Sequence, residues 1–305
     1  MEIVTYRELQ PKEDFMMLMD IAFSWPMSPA EFEERINTDI RLKDSPVGFC
    51  AVQDGQLAGF VGVMDIPTRT MQGEIEFVGG IYCVATHPAF TRRGISKTLL
   101  DVAHIYFHSQ KYLFSFLCTS RTIIAYALYL KLSYIEVDAV NRYAEVYKTI
   151  NENESNPIVS PASIDPLKIF QIYEKFAKNR TGFTVRQKDF FTIWSRYKKF
   201  DEPKTILKEN GYALLTEKLK VVKIQELLAL DPRTYNELIE EVEMTAKRGV
   251  INRSVADEGT LKLYETKGYR VQKGDHGVLM VRNLSNVSFE KVYGKTFYLG
   301  ILDWF

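Results

Sequence analysis

Residues 84–100 read Val-Ala-Thr-His-Pro-Ala-Phe-Thr-Arg-Arg-Gly-Ile-Ser-Lys-Thr-Leu-Leu. Their order of strand, basic glycine turn and helix constrains the surrounding fold more than any other stretch. Residues 80–84 are apolar enough for a buried strand, which His87-Pro88 ends. Ile95, Leu99, Leu100 and Ala103 recur on one face of a helix. Between strand and helix, Gly94 lets the chain turn tightly and brings peptide N–H groups close to an anion. The helix start adds N–H groups with no intrahelical acceptor and the positive end of a dipole. Arg92, Arg93 and Lys97 add full charges. The combination predicts a phosphate site built largely from backbone.

Any such site must act locally. Lys+Arg and Asp+Glu are both 39 in 305 residues, so the chain has no general attraction for nucleic acid or an anionic membrane. No run approaches the roughly 18 apolar residues of a membrane span, and the first residues form no basic-then-apolar leader. The expectation is a soluble cytoplasmic protein with neither nucleic-acid nor membrane partners. Cys50, Cys83 and Cys118 lie far apart in apolar runs, and the four histidines show no ligand spacing. Free thiols and no metal are expected.

A first strand is predicted at 2–8, helices at 11–21 and 28–37, and a hairpin of strands 47–53 and 56–65 around Asp54-Gly55. A long strand follows at 74–86, where Gly79-Gly80 predicts a bulge or close approach by a ligand. After the helix ending near 109 come an all-apolar strand at 113–118, a helix at 121–131 and a strand at 134–138. Residues 151–157 are polar and unpatterned, as in a linker. The second half reads as a worn copy of the first. Helices are predicted at 164–178, 187–198 and 234–247, and strands at 211–216, 219–230 and 250–255. The segment Tyr126 to Tyr134 aligns with Leu261 to Tyr269. No glycine marks the second copy's turn, and Asp231 and Glu237 compete there for the helix N–H groups.

The turn at 91–96 resembles the Q/R-x-x-G-x-G/A pyrophosphate loop of the GNAT acetyltransferases, with Gly94 as the central glycine and Ser96 at the last small position. Thr91 stands where that family carries Gln or Arg. Arg-Arg-Gly-Ile following Val-Ala-Thr-His-Pro is most similar to the Eis-like tandem branch. The resemblance implies an α/β (α+β) fold of two tandem GNAT-like lobes, each a mixed, mostly antiparallel twisted sheet flanked by helices. It places a catalytic lobe at 1–148, a linker at 149–160, a degenerate lobe at 161–285 that does not bind coenzyme A, and a tail at 286–305 docking toward the active site. A sterol-carrier-like third domain, usual in that branch, is not expected in the residues after 285.

The implied activity is transfer of an acetyl group from acetyl-CoA to a primary amine, by direct attack in a ternary complex. Val84, Thr86, Arg92, Arg93, Gly94, Ile95, Ser96 and Lys97 would hold the coenzyme, with the Val84 N–H facing the developing oxyanion. Tyr129 lies in a segment resembling the Eis-like Tyr-x-Arg-Phe-Gly-Tyr, whose tyrosine protonates the leaving thiolate. In that branch the chain's terminal carboxylate is the base, which here is Phe305; Glu76 and Asp65 are the other candidates. Phe23, Trp25 and Phe60 are expected to wall the acceptor pocket. Alternatives are a non-catalytic acyl-CoA-binding regulator or scaffold, a longer acyl donor, and an amino-sugar thiol acceptor. Acceptor identity and homo-oligomer formation are left open.

Overall fold

Asp54 and Gly55 both take positive φ, 53° and 75°, and close a two-residue hairpin as expected. In the computed structural model, the described residues are 1–25, 27–137, 144–150, 162–197, 204–253, 255, 258–273 and 277–305. The first half contains β1 (Glu2–Thr5), α1 (Glu13–Phe23), α2 (Pro29–Thr38), β2 (Gly48–Gln53), β3 (Gln56–Arg69), β4 (Ile75–Thr86), α3 (Ile95–Ser109), β5 (Phe114–Thr119), α4 (Ile124–Lys131), β6 (Ile135–Glu136) and β7 (Ala144–Thr149). The second half begins with β8 (Ala162–Ser163), α5 (Pro166–Ala177), β9 (Thr181–Phe183), α6 (Phe190–Tyr197), β10 (Lys204–Leu207), β11 (Gly211–Lys218) and β12 (Val221–Ala229). It ends with α7 (Pro232–Thr245), β13 (Gly249–Asn252), α8 (Glu258–Thr266), β14 (Arg270–Lys273), β15 (Val278–Asn283), α9 (Phe289–Tyr293) and β16 (Phe297–Leu299).

Two mixed sheets result, and they trade a strand. The first runs β1-β2-β3-β4-β5-β15-β6 and the second β14-β7-β13-β12-β11-β10-β8. Among the described residues the first has two parallel pairs, β4 with β5 and β9 with β16, and the second has one, β12 with β13; the other pairings are antiparallel. β15 comes from the second half, yet it pairs with β5 and β6. β7 comes from the first half, yet it pairs with β13 and β14. The expected division near residue 148 therefore falls inside β7, and most of the expected linker lies outside the described residues. Residues 286–305 fold as α9 and β16, with β16 pairing in parallel with β9, whose Gly182 pairs with Arg69 of β3.

Local chemistry explains the main elements. Ser28 caps α2 with a reciprocal capping box to Glu31, and Pro29 opens the helix. Residues 114–117 of β5 are all buried, consistent with a parallel strand covered on both faces. Along β3, Phe60 and Met64 enter the core beneath α1 and α2, whereas Val61 and Val63 enter the core beneath α3. Gly79 and Gly80 do not form a bulge. A Cβ on Gly79 would lie 2.5 Å from the Phe107 ring, and one on Gly80 2.4 Å from Ile66 Cδ1, so both are small because side chains cross them. The bulge comes three residues later, at Cys83, whose φ is 46° and where the β3–β4 register shifts.

Candidate active site

The turn after β4 has the form an anion site needs. Arg92 and Gly94 both adopt left-handed backbone, with φ of 63° and 77°. Gly94 is the N-cap of α3, and no side chain caps that helix. A Cβ on Gly94 would meet nothing within 4 Å, so the glycine answers to backbone conformation and leaves open space beside the first amides. Ser96 Oγ and Thr86 Oγ1 are 2.6 Å apart and join the helix start to the end of β4. The Arg93 guanidinium lies 5.2 Å over the Phe90 ring, and exposed Lys97 pairs with Asp101 one turn on at 2.8 Å. His87 is structural, its Nδ1 accepting from the Ala89 N–H at 3.2 Å.

Beside this turn the sheet opens. The parallel pairing of β4 with β5 ends at Ile81–Leu117, while the two strands continue to Thr86 and Thr119. Their facing backbones beyond that point are not paired with each other, and Val84 lies in the parted stretch. Val84 and Ile95 belong to one apolar cluster with Tyr129 of α4, which is 5% exposed. Burial pushes the Tyr129 phenol up to about 12, with Cys83 adding to the shift. Its ring meets Tyr134 edge-on at 6.0 Å. Among the described residues its hydroxyl has no hydrogen-bond partner.

The chain's end sits on the other face of the same sheet. The Phe305 ring lies 3.3 Å from the position of a Cβ on Gly80 and 5.6 Å from the Phe183 ring. Next to it, at the junction of the lobes, is a cavity of about 350 Å³. Ile66, Phe183, Trp194 and Trp304 give it apolar walls; Arg35, Asp39, Arg41, Arg186 and Asp303 give it charged ones. Arg186 donates two hydrogen bonds to Asp303 and two to Glu226, all of them buried. Burial works against ionisation of Asp39, but the Arg41 guanidinium outweighs it and holds the carboxyl at about 2.

Phe23, Trp25 and Phe60 do not line this cavity. Phe60 is fully buried against Phe15, Phe23 is 46% exposed on the surface, and Trp25 packs on Phe32. Asp65 accepts the Tyr106 hydroxyl proton in a bond shared between its two oxygens, at 3.1 and 2.9 Å. In the second lobe, Asp231 accepts from the Thr234 N–H at 2.8 Å and occupies the start of α7. A pocket of about 500 Å³ opens there between Tyr235 and Leu263, without the glycine turn. Among the described residues no helix is long and apolar enough to cross a membrane, and no three metal-ligating side chains cluster.

Residues 5–135 match the sequence profile of the family described as acetyltransferase (GNAT) domain. The lobe with the parted strands and the glycine turn is thus the part of the chain that matches a GNAT acetyltransferase domain, over somewhat less than half of its length. Its fold is similar to that of several solved structures. A GCN5-related N-acetyltransferase from Kribbella flavida superposes with a TM-score of 0.66 at 16% identity, over 93% of this chain and 72% of that one. Eis1 from Mycobacterium abscessus gives 0.63 at 15% identity, over 93% and 73%. A tandem GNAT protein from the clavulanic acid biosynthesis pathway gives 0.54 at 12% identity, over 94% and 99%. No curated protein matches the chain.

Proposed function

We propose that the chain transfers an acetyl group from acetyl-CoA to the amine of a small molecule, with both substrates bound together. The parting of β4 from β5 beside the uncapped start of α3 carries this reading. The residues present suit the coenzyme: Gly94 leaves room next to amides that no side chain occupies. The N–H groups of Gly94, Ile95 and Ser96 would hold its diphosphate with Arg92, Arg93 and Lys97, and Val84 and Thr86 would line the arm between the strands. Acetyl-CoA, when bound, supplies a thioester carbonyl as electrophile. The Val84 N–H would face the oxygen on which charge develops.

Tyr129 keeps its proton at neutral pH as any phenol does; burial only raises it further, and burial also makes a thiolate more basic. It is the general acid of this proposal. The Phe305 carboxylate is the base, on the opposite face of the sheet from Tyr129, where Gly80 meets its ring. The second lobe supplies one wall of the acceptor cavity and binds no coenzyme, since Asp231 fills the anion position.

Thiol release from acetyl-CoA with a panel of amines tests the assignment. Tyr129→Phe is expected to lower turnover by roughly 10²–10⁴-fold with coenzyme affinity unchanged. A chain lacking Trp304 and Phe305 should bind coenzyme and lose turnover. Full activity in either variant removes that residue from the mechanism, and no calorimetric heat with coenzyme A overturns the reading.

A further inference from the structure

The charges around the junction cavity are unequal in a way that selects its occupant. Both carboxylates in its walls are satisfied. Asp39 accepts from the Arg41 main-chain N–H and from Nε and Nη2 of the same residue, at 2.7–3.0 Å. Asp303 is held by Arg186, whose remaining bonds go to Glu226. An ammonium group entering the cavity would meet carboxylates whose charge a guanidinium already balances.

Arg35 differs from the other two arginines. Its Nε stands 3.9 Å from Asp39 Oδ2, its side chain is 21% exposed, and among the described residues its guanidinium makes no hydrogen bond. Its charge opposes the upward push of burial on the Cys83 thiol at the bulge. Ile66, another cavity wall, packs on Gly80, immediately before the last paired position of β4 and β5. A planar guanidinium with open donors is the natural partner of a carboxylate. Apart from Gln187, whose amide is bonded to the Ile40 N–H and the Thr38 carbonyl, the remaining surface is apolar and aromatic, at a volume typical of small-molecule sites.

We propose that the acceptor is an amine that also carries a carboxylate on an apolar, aromatic-sized body. Arg35 binds the carboxylate and the cavity binds the body; polyamines and other polycations are disfavoured. This rests on the acetyl-transfer reading. In the reaction the amine nitrogen forms a bond to the acyl carbon as the carbon–sulfur bond breaks. One amine proton passes to the base, and the sulfur leaves with a proton from the acid, giving the N-acetyl acid and free thiol.

The test needs no turnover at first. N-acetylphenylalanine and its decarboxylated twin, N-acetylphenethylamine, are titrated into the full chain by ligand-observed NMR. The acid is expected to bind at least tenfold more tightly. Arg35→Met should abolish the difference and Arg35→Lys should retain most of it, with coenzyme A affinity unchanged as a check on folding. Phenylalanine, phenethylamine and spermine are then compared as acceptors, and the same order of preference is expected in kcat/KM. Equal binding of the twins, failure of the acid to bind, or a preference that survives in Arg35→Met overturns the inference. If phenethylamine or spermine is acetylated best, the acceptor class is wrong and the transferase stands. If coenzyme A does not bind, the transferase reading fails and takes the inference with it.

Discussion

Gly94 and Gly80 are both small, for unrelated reasons. Gly80 is crossed by Ile66 and Phe305, so added carbon there collides with the protein. Gly94 has only open space around it, but its φ of 77° costs an L-residue roughly 1–2 kcal/mol. Gly94→Ala should therefore lower stability by about that amount, while on the proposed reading coenzyme A affinity falls at least tenfold, because the new methyl group would stand where the diphosphate is proposed to approach. Thermal unfolding and calorimetry separate the two effects; unchanged affinity would remove the turn from the site. At this scale the turn was legible because its meaning is local: glycine, arginines and a helix start are adjacent in the chain. The bulge at Cys83 was not, since an unbroken apolar strand reads the same with or without one extra residue. Arg35 was also hidden. It sits in an acidic, amphipathic helix that reads as solvated, and only the junction with the second lobe gives its charge a use.

The strands and helices read from the sequence form, with ends displaced by a few residues, because alternation and helical spacing survive in each half; β7, β8, β9, β10, β14, β15, β16 and α9 were not read at all. Nor was the exchange of β7 and β15 visible. Either strand keeps the same alternation in its own sheet or the other, so only pairing partners distinguish the two arrangements. One side-chain set links the exchanged β15 to α3. Arg282 Nη1 lies 2.9 Å from His104 Nδ1, His104 Nε2 lies 2.8 Å from the Tyr134 hydroxyl, and that hydroxyl lies 2.6 Å from Ser115 Oγ. Since guanidinium can only donate, Nδ1 accepts, and the ring is neutral with its proton on Nε2. Burial, reinforced by Arg282 and His108 against the opposing pull of Asp101, lowers its pKa from 6.5 to about 3. Between those values the unfolded chain holds the extra proton, so this contribution is complete above pH 6.5 and is lost as pH falls toward 3. Unfolding midpoints measured from pH 7 to pH 4 should decline, and less steeply in His104→Gln, whose amide can accept and donate at the same places. An identical slope in the variant would show that other groups carry the acid sensitivity.

The molecule as a whole is joined by contacts that no local reading of the chain anticipates. Two lobes could be read from the repeated tyrosine segment, and the rings of both copies meet edge-on, Tyr129 with Tyr134 and Tyr264 with Tyr269. The junction is another matter. Arg186 finds Glu226 40 residues away and Asp303 117 residues away, and it stacks on Tyr173 with its guanidinium 3.9 Å from the ring centre. Through this one side chain β12, the segment after β9 and the chain's end are held together beside the cavity. Removing it leaves two carboxylates buried without a cation, which costs about 3–5 kcal/mol. Arg186→Met should therefore unfold at much lower denaturant. The same change made together with Glu226→Leu and Asp303→Leu should recover much of the loss, since no charge is then left buried. Turnover should respond differently. The triple variant regains stability but lacks the hydrogen bonds that fix Asp303 two residues before the terminal carboxylate, so its kcat should stay low while coenzyme affinity is normal. Recovery of kcat along with stability would mean that the buried ions support the fold alone and that the chain's end finds its place without them.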